Sequence, residues 1–300
     1  MPEWVVVVLA LAAAVTSALG IVIRQRATIE IPPEEGVTTT MFRKLLRNRL
    51  WWAGTAVAAS GYGFQALALT WGSLILVAPL LVSALLFALP MSARMAHRRV
   101  TTHDWVWALI LTVGLAIFVT LARVQHGDYR PPLLVSITAA VICVTVVGGC
   151  IVGGARAQGR NRALLIATAV GVMFGAVAVL TKVTVQRLND EGVWGMLVVP
   201  APYLVVFLGV AATLLQQSAF HAGALQTSVP TMLVLEPLVA VSLGVVVLGE
   251  TLAVTDPVRI GLLAAAVLAM AAATIRLGRD EGAFEEQLEA EITHRTETPT

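Results

Sequence analysis

Apolar residues in this chain come in long blocks, not in the stripes that a soluble helix or strand would show. Nine blocks are long enough to cross a bilayer, at about 4–23, 51–71, 73–93, 105–123, 133–154, 163–182, 197–220, 228–249 and 257–276. About 20 apolar residues in helical form span a hydrocarbon core of about 30 Å. The pattern therefore predicts an all-α, polytopic membrane protein of about nine transmembrane helices.

The polar residues between the blocks set the expected orientation. With the N-terminus outside, fifteen basic residues fall on the cytoplasmic side, among them Arg24, Arg26, Arg43, Lys44, Arg47, Arg49, Arg98, Arg99, Arg156 and Arg162. Five remain outside: Arg123, Arg130, Lys182, Arg187 and Arg259. The excess predicts a multi-pass protein of the plasma (inner) membrane, N-terminus outside and C-terminus cytoplasmic. Within the loop 24–50, Met41, Phe42, Leu45 and Leu46 oppose Arg43, Lys44 and Arg47. That stretch reads as a short helix on the anionic leaflet or as a plain basic loop. The acidic tail 280–300 reads as a solvated cytoplasmic extension, partly helical at most.

Composition agrees with the pattern: 58% of residues are hydrophobic and 13% charged, half the charge of a soluble domain. Only Lys44 and Lys182 among twenty basic side chains are lysines, a usage that suits a GC-rich bacterial genome. Cys143 and Cys150 lie on one face of one helix, too far apart to bridge, and read as buried packing residues. Glu3 in place of a basic leader marks the first block as a retained helix.

A shift of 151 residues aligns Gln65, Ala68, Gly72, Leu74 and Pro79 with Gln216, Ala219, Gly223, Leu225 and Pro230. Asp104 and Asp256, one residue out of that register, both open a helix, where a carboxylate suits the dipole. The period contains five crossings, so the second copy is expected to be inverted in the membrane. The organisation expected is a first repeat at 1–123, a linking helix at 124–155, a second repeat at 156–279 and the tail. Inverted repeats are the frame on which many secondary transporters alternate access around a midplane site.

The run A-F-H-A-G-A-L-Q-T-S (219–228), the proline-bearing helix after it and its ending L-G-E-T-L (248–252) carry a family likeness. On these residues the chain resembles the drug/metabolite transporter superfamily, as a nine-helix bacterial member with EamA-like repeats. The first half matches less well, since Gly72-Ser73 is present but Arg98-Arg99 stands where Glu250 would align. The resemblance implies ten helices in full-length members, of which this chain lacks the first.

Glu236 is the candidate centre. It lies near the middle of the eighth block with Pro237 after it and Pro230 before it. A charge at that depth costs roughly 2.5–3.5 kcal/mol on insertion scales, and each proline frees a carbonyl about one turn back. Gln65, Gln216 and Gln217 offer amides, and Tyr62, Trp71 and Tyr203 offer pocket walls, with Trp71 placed for an aromatic belt. Lys182 is expected to snorkel to the headgroups; turned inward, it would bind an anionic substrate. His221 reads as polar surface, and small-residue stripes at Ala10, Ala14, Ala18 and at Ala167, Gly171, Gly175 read as close helix contacts.

No catalytic constellation, phosphate loop, metal-ligand cluster or cofactor motif stands in the sequence, so no enzyme, cofactor or nucleic-acid partner is expected. The function expected is a secondary transporter of a small organic solute or metabolite, proton-coupled through Glu236, with the lipid bilayer as partner and a homodimer as assembly. A magnesium or other divalent-cation transporter is the first alternative. A non-transporting membrane partner, or a lipid-intermediate flippase in envelope assembly, is the second.

Overall fold

The computed structural model describes the backbone of residues 3–29, 48–95, 101–122, 124–125, 133–220, 225–252, 254 and 256–297. Within that backbone, side chains at 21, 24–29, 89, 92–95, 124–125, 133, 159–160, 217–218, 220, 225–227 and 280–297 are not described. The helices are α1 (Glu3–Ile29), α2 (Arg49–Trp71), α3 (Leu74–Leu81), α4 (Ala84–Met95) and α5 (Thr102–Leu121) in the first half. The rest are α6 (Leu133–Arg156), α7 (Gly159–Val198), α8 (Ala201–Phe220), α9 (Leu225–Leu248) and α10 (Pro257–Glu297). Two-residue strands, β1 (Val124–Gln125) and β2 (Thr251–Leu252), pair antiparallel and join the loop after α5 to the loop after α9.

Among the described residues, six helices hold a stretch long and apolar enough to cross a membrane: α1, α5, α6, α7, α9 and α10. Leu74–Ala88 and Ala201–Gln216 are shorter apolar stretches. The molecule is a bundle of apolar helices of the kind a helical membrane protein requires. Large side chains such as Trp4, Trp105, Leu134, Phe207 and Leu268 lie exposed on its outside.

Helix starts follow local chemistry. Asn48 caps α2, its side chain accepting from the Leu50 and Trp51 amides. At α5, Thr101 and Asp104 exchange side-chain and backbone bonds in a capping box. Asp256 instead caps α10 directly, accepting from the Val258 amide. The two aspartates thus start their helices from different cap positions.

Three expectations are corrected. The block 73–93 is not one rod: α3 ends at Leu81, and α4 restarts at Ala84 after a turn at Val82 and Ser83. Pro79 lacks the N–H that would bond the Ile75 carbonyl, and the Ser83 hydroxyl donates to the Leu80 carbonyl at 2.6 Å, fixing the break. The tail is helical further than expected, since α10 runs on to Glu297. Cys143 and Cys150 are not buried: α6 lies at the edge, with Gly154 alone buried in its apolar span, and both thiols are partly exposed. The basic loop at 30–47 and Arg98-Arg99 lie outside the described residues.

The small-residue stripes sit where backbones approach. Ala10, Ala14 and Ala18 are fully buried in α1, and a Cβ on Gly20 would lie 2.7 Å from the Ala58 amide nitrogen of α2. On α7, Ala167, Gly171 and Gly175 are buried against α9. The main core cluster, with Leu69, Leu74, Ile75, Leu80, Leu111 and Leu277, joins residues of both halves.

Candidate functional site

Glu236 lies on α9, twelve residues before the helix ends at Leu248, so about 18 Å along its axis from that end. That depth is near the middle of a hydrocarbon core about 30 Å thick. Its partners there are α7 and α3. Gly175 of α7 comes so near that a Cβ on it would lie 2.9 Å from the Glu236 carbonyl oxygen and 2.7 Å from the Val239 Cβ. Glycine is needed for this approach, and the approach holds the stretch around Glu236 against α7.

Beside Glu236 is a cavity of about 50 Å³, lined from four helices. From α2 come Gln65 and Leu69; from α3 and the turn after it come Leu74, Val77, Ala78, Leu81 and Val82; α7 gives Ala178; α9 gives Leu233, Glu236, Pro237 and Ala240. A volume of that size holds only a few water molecules. Pro237 has no N–H for the carbonyl of Leu233, so that oxygen, on a lining residue, lacks its helical donor. One carboxylate and one amide therefore face walls that are otherwise apolar. The space offers a carboxylate to a proton or a small cationic group and an amide to a polar group.

Of the residues singled out in the sequence, Glu236, Pro237 and Gln65 share this cavity. Gln216 does not line it; its amide lies 3.8 Å from the Met232 sulfur, beside a second small cluster of Ile166, Val170 and Met232. The Gln217 side chain and His221 lie outside the described residues. Tyr62 is 53% exposed on the outside of α2, and Tyr203 is 59% exposed with its hydroxyl on the Leu197 carbonyl. Trp71 is also exposed at its helix end.

Lys182 does not snorkel. It is 3% exposed, and its ammonium donates to a carboxylate oxygen of Glu250, itself 1% exposed, and to the Gly72 carbonyl at 2.9 Å. Glu250 in turn accepts from the first two amides of α3, Leu74 N at 2.9 Å and Ile75 N at 3.0 Å. Ser73 caps the same helix through the Leu76 amide at 3.1 Å. The three N–H groups that open α3 are thus all satisfied, two of them by a carboxylate at the positive end of the helix dipole.

Glu250 reaches this place because α9 ends just before it. Gly249 has φ of +65°, a turn that a side chain resists, and the Glu250 amide folds back to the Gly244 carbonyl at 3.1 Å. Gly244 leaves room as well, since a Cβ there would stand 3.2 Å from a Glu250 carboxylate oxygen. In the sequence each partner stood out only singly: Lys182 closes the apolar block 163–182, although α7 itself runs on to Val198, and Gly249-Glu250 lies in the ending that carried the family likeness.

An uncharacterized protein of Corynebacterium glutamicum is 36% identical to this chain over 273 residues, 91% of this chain and 94% of the relative. The chain belongs to that protein's family. A match of this extent on a chain of 300 residues includes everything from Gln65 to Glu250, wherever it begins. The cavity and the ion pair therefore both fall within the matched stretch. No family model matches the chain, and no solved structure matches it.

Proposed function

We propose that this chain is a secondary transporter of a small organic solute, working by alternating access, with Glu236 exchanging a proton for a cationic group or moving one with the solute. The observation that carries the reading is the cavity itself. A carboxylate at about mid-depth lines a small, mainly apolar space together with an amide, between helices of both halves. Keeping a carboxylate there costs folding free energy that an apolar residue would not. A ligand or proton that binds it in turn is the use that offsets this cost.

The packing supports an inverted repeat. Under the repeat, α3–α4 corresponds to α9 and α5 to α10. Two counterpart pairs, α3 with α9 and α5 with α10, lie in contact, as elements beside a two-fold axis in the membrane plane would, while α1 packs on α2 and α7 on α8 within their own halves. The likeness to the drug/metabolite transporter superfamily accords with the same arrangement. In this reading the membrane is the bacterial inner membrane, and the end of α9 with Glu250 faces outside.

The test uses purified protein in liposomes with a trapped pH-sensitive dye, challenged with amines, amino acids, nucleosides, sugars and magnesium. Wild type is expected to move protons with one class of organic solute. Glu236→Gln, which keeps the shape and removes the charge, is expected to stay folded and lose the coupled movement. Full coupled transport by the variant would overturn the reading, and flux of magnesium alone would replace it.

A further inference from the structure

The Glu236 cavity and the Lys182–Glu250 pair are built on the same four chain segments. On each segment cavity residues extend inward from the pair's contact, and on α3 Leu74 serves both. Ala178 lines the cavity, and Lys182 is one turn further along α7. Leu69 lines it, and Gly72, whose carbonyl holds Lys182, ends α2. Val77 and Ala78 line it, and the Leu74 and Ile75 amides that bind Glu250 open α3. Ala240 lines it, and Glu250 follows the end of α9. The ion pair therefore draws together, over one end of the cavity, the four segments that form its walls.

We propose that Lys182 and Glu250 are the latch of a gate that closes the Glu236 cavity toward the membrane face where α3 begins. The proposal rests on the reading of that cavity as a transport site. A buried pair with several hydrogen bonds suits a latch better than an apolar plug does. Its partners are fixed in direction when closed, and each charge can be hydrated when the segments part. Releasing Glu250 frees the N-terminus of α3, a helix of only eight residues already cut off from α4 by the Val82–Ser83 turn. The chain next to Glu250 is built to turn at Gly249, and β2 tethers it to β1 just beyond. On release, α3 and the Glu250 segment swing as separate pieces while α7 stays packed on α9 through Gly171 and Gly175.

The test is accessibility, read without any transport assay. Cys143 and Cys150, the only thiols, are on α6, away from the cavity, and both are replaced by alanine. Ala78→Cys then places one thiol in the lining. A membrane-impermeant maleimide is added from each side in turn to vesicles of known orientation. With Lys182 and Glu250 intact, labelling from the face carrying Glu250 is expected to be slow. Glu250→Gln and Lys182→Met are each expected to speed it roughly tenfold or more, from that face alone.

Glu250→Asp keeps the charge but falls short by one methylene, and is expected to give an intermediate rate; it serves in place of Glu250→Gln if that variant does not fold. An unchanged rate in a folded variant overturns the proposal. So does equal acceleration from both faces, which reports general loosening, or rapid labelling from that face with the pair intact. Failure of solute transport with the labelling result as expected would instead count against the transport reading and leave the gate.

Discussion

At Gly175 the demand on a single residue is steric. A Cβ there would overlap the Val239 side chain and press on the Glu236 carbonyl, and neither backbone has slack in a packed helix pair. Gly175→Ala is expected to cost about 1–3 kcal/mol, the usual range for overpacking a tight contact. It should lower the thermal midpoint in detergent and widen or distort the cavity. Gly209→Ala on α8, where an added Cβ meets nothing within 4 Å, should leave the midpoint unchanged or raise it slightly.

The buried pair gives a second contrast at this scale. Removing either partner is expected to cost about 3–5 kcal/mol. The two losses should differ. Lys182→Met leaves a carboxylate still held by two amides, whereas Glu250→Met leaves both amides without an acceptor and the buried ammonium with only the Gly72 carbonyl and no counter-charge. Glu250→Met should therefore unfold at the lower temperature. The reverse order would mean that Glu250 contributes little to holding α3.

The elements that carry the site are short and interrupted, and this decides what the sequence could disclose. The helix-length blocks were legible because burial in lipid needs only sustained hydropathy, and their edges fell within a few residues of the helices over much of the chain. The α3–α4 break was written less plainly, in Pro79 and Ser83 inside a block whose hydropathy never falls. Glu236 and Pro237 could be singled out because a charge and a missing N–H stand out in an apolar run. Lys182 could not be paired with Glu250 from sequence, because they are 68 residues apart and each alone resembles an ordinary helix-end residue. Their bond follows from α7 packing against α9, a fact of tertiary structure. Capping offers a test at this scale: Thr101→Ala at the α5 capping box is expected to cost about 1 kcal/mol, read as a lower midpoint, without changing labelling in the cavity.

For the whole molecule, the expected orientation follows from the arginines and can be checked without knowing the substrate. A fluorescent protein fused after Thr300 should fluoresce in bacterial cells, and a thiol placed at Glu3 should react with an impermeant reagent added outside. A dark C-terminal fusion with a protected N-terminus would reverse the assigned faces, and with them the side to which the Lys182–Glu250 latch closes.

The peripheral helix α6 is constrained in another way. Only Gly154 in its apolar span is buried, and where it meets the bundle it does so mainly along α7. Its sequence has to satisfy a solvent, while the sequence of α7 has to satisfy a shape. Over evolutionary time α6 is free to drift among valine, isoleucine and leucine, held only to being greasy and long enough. In a library covering every position, residues such as Val144 and Ile151 should accept nearly any apolar replacement. Gly171 and Gly175 should accept almost none. Much of the chain's hydrophobicity would then record the membrane, and comparatively little of it the fold.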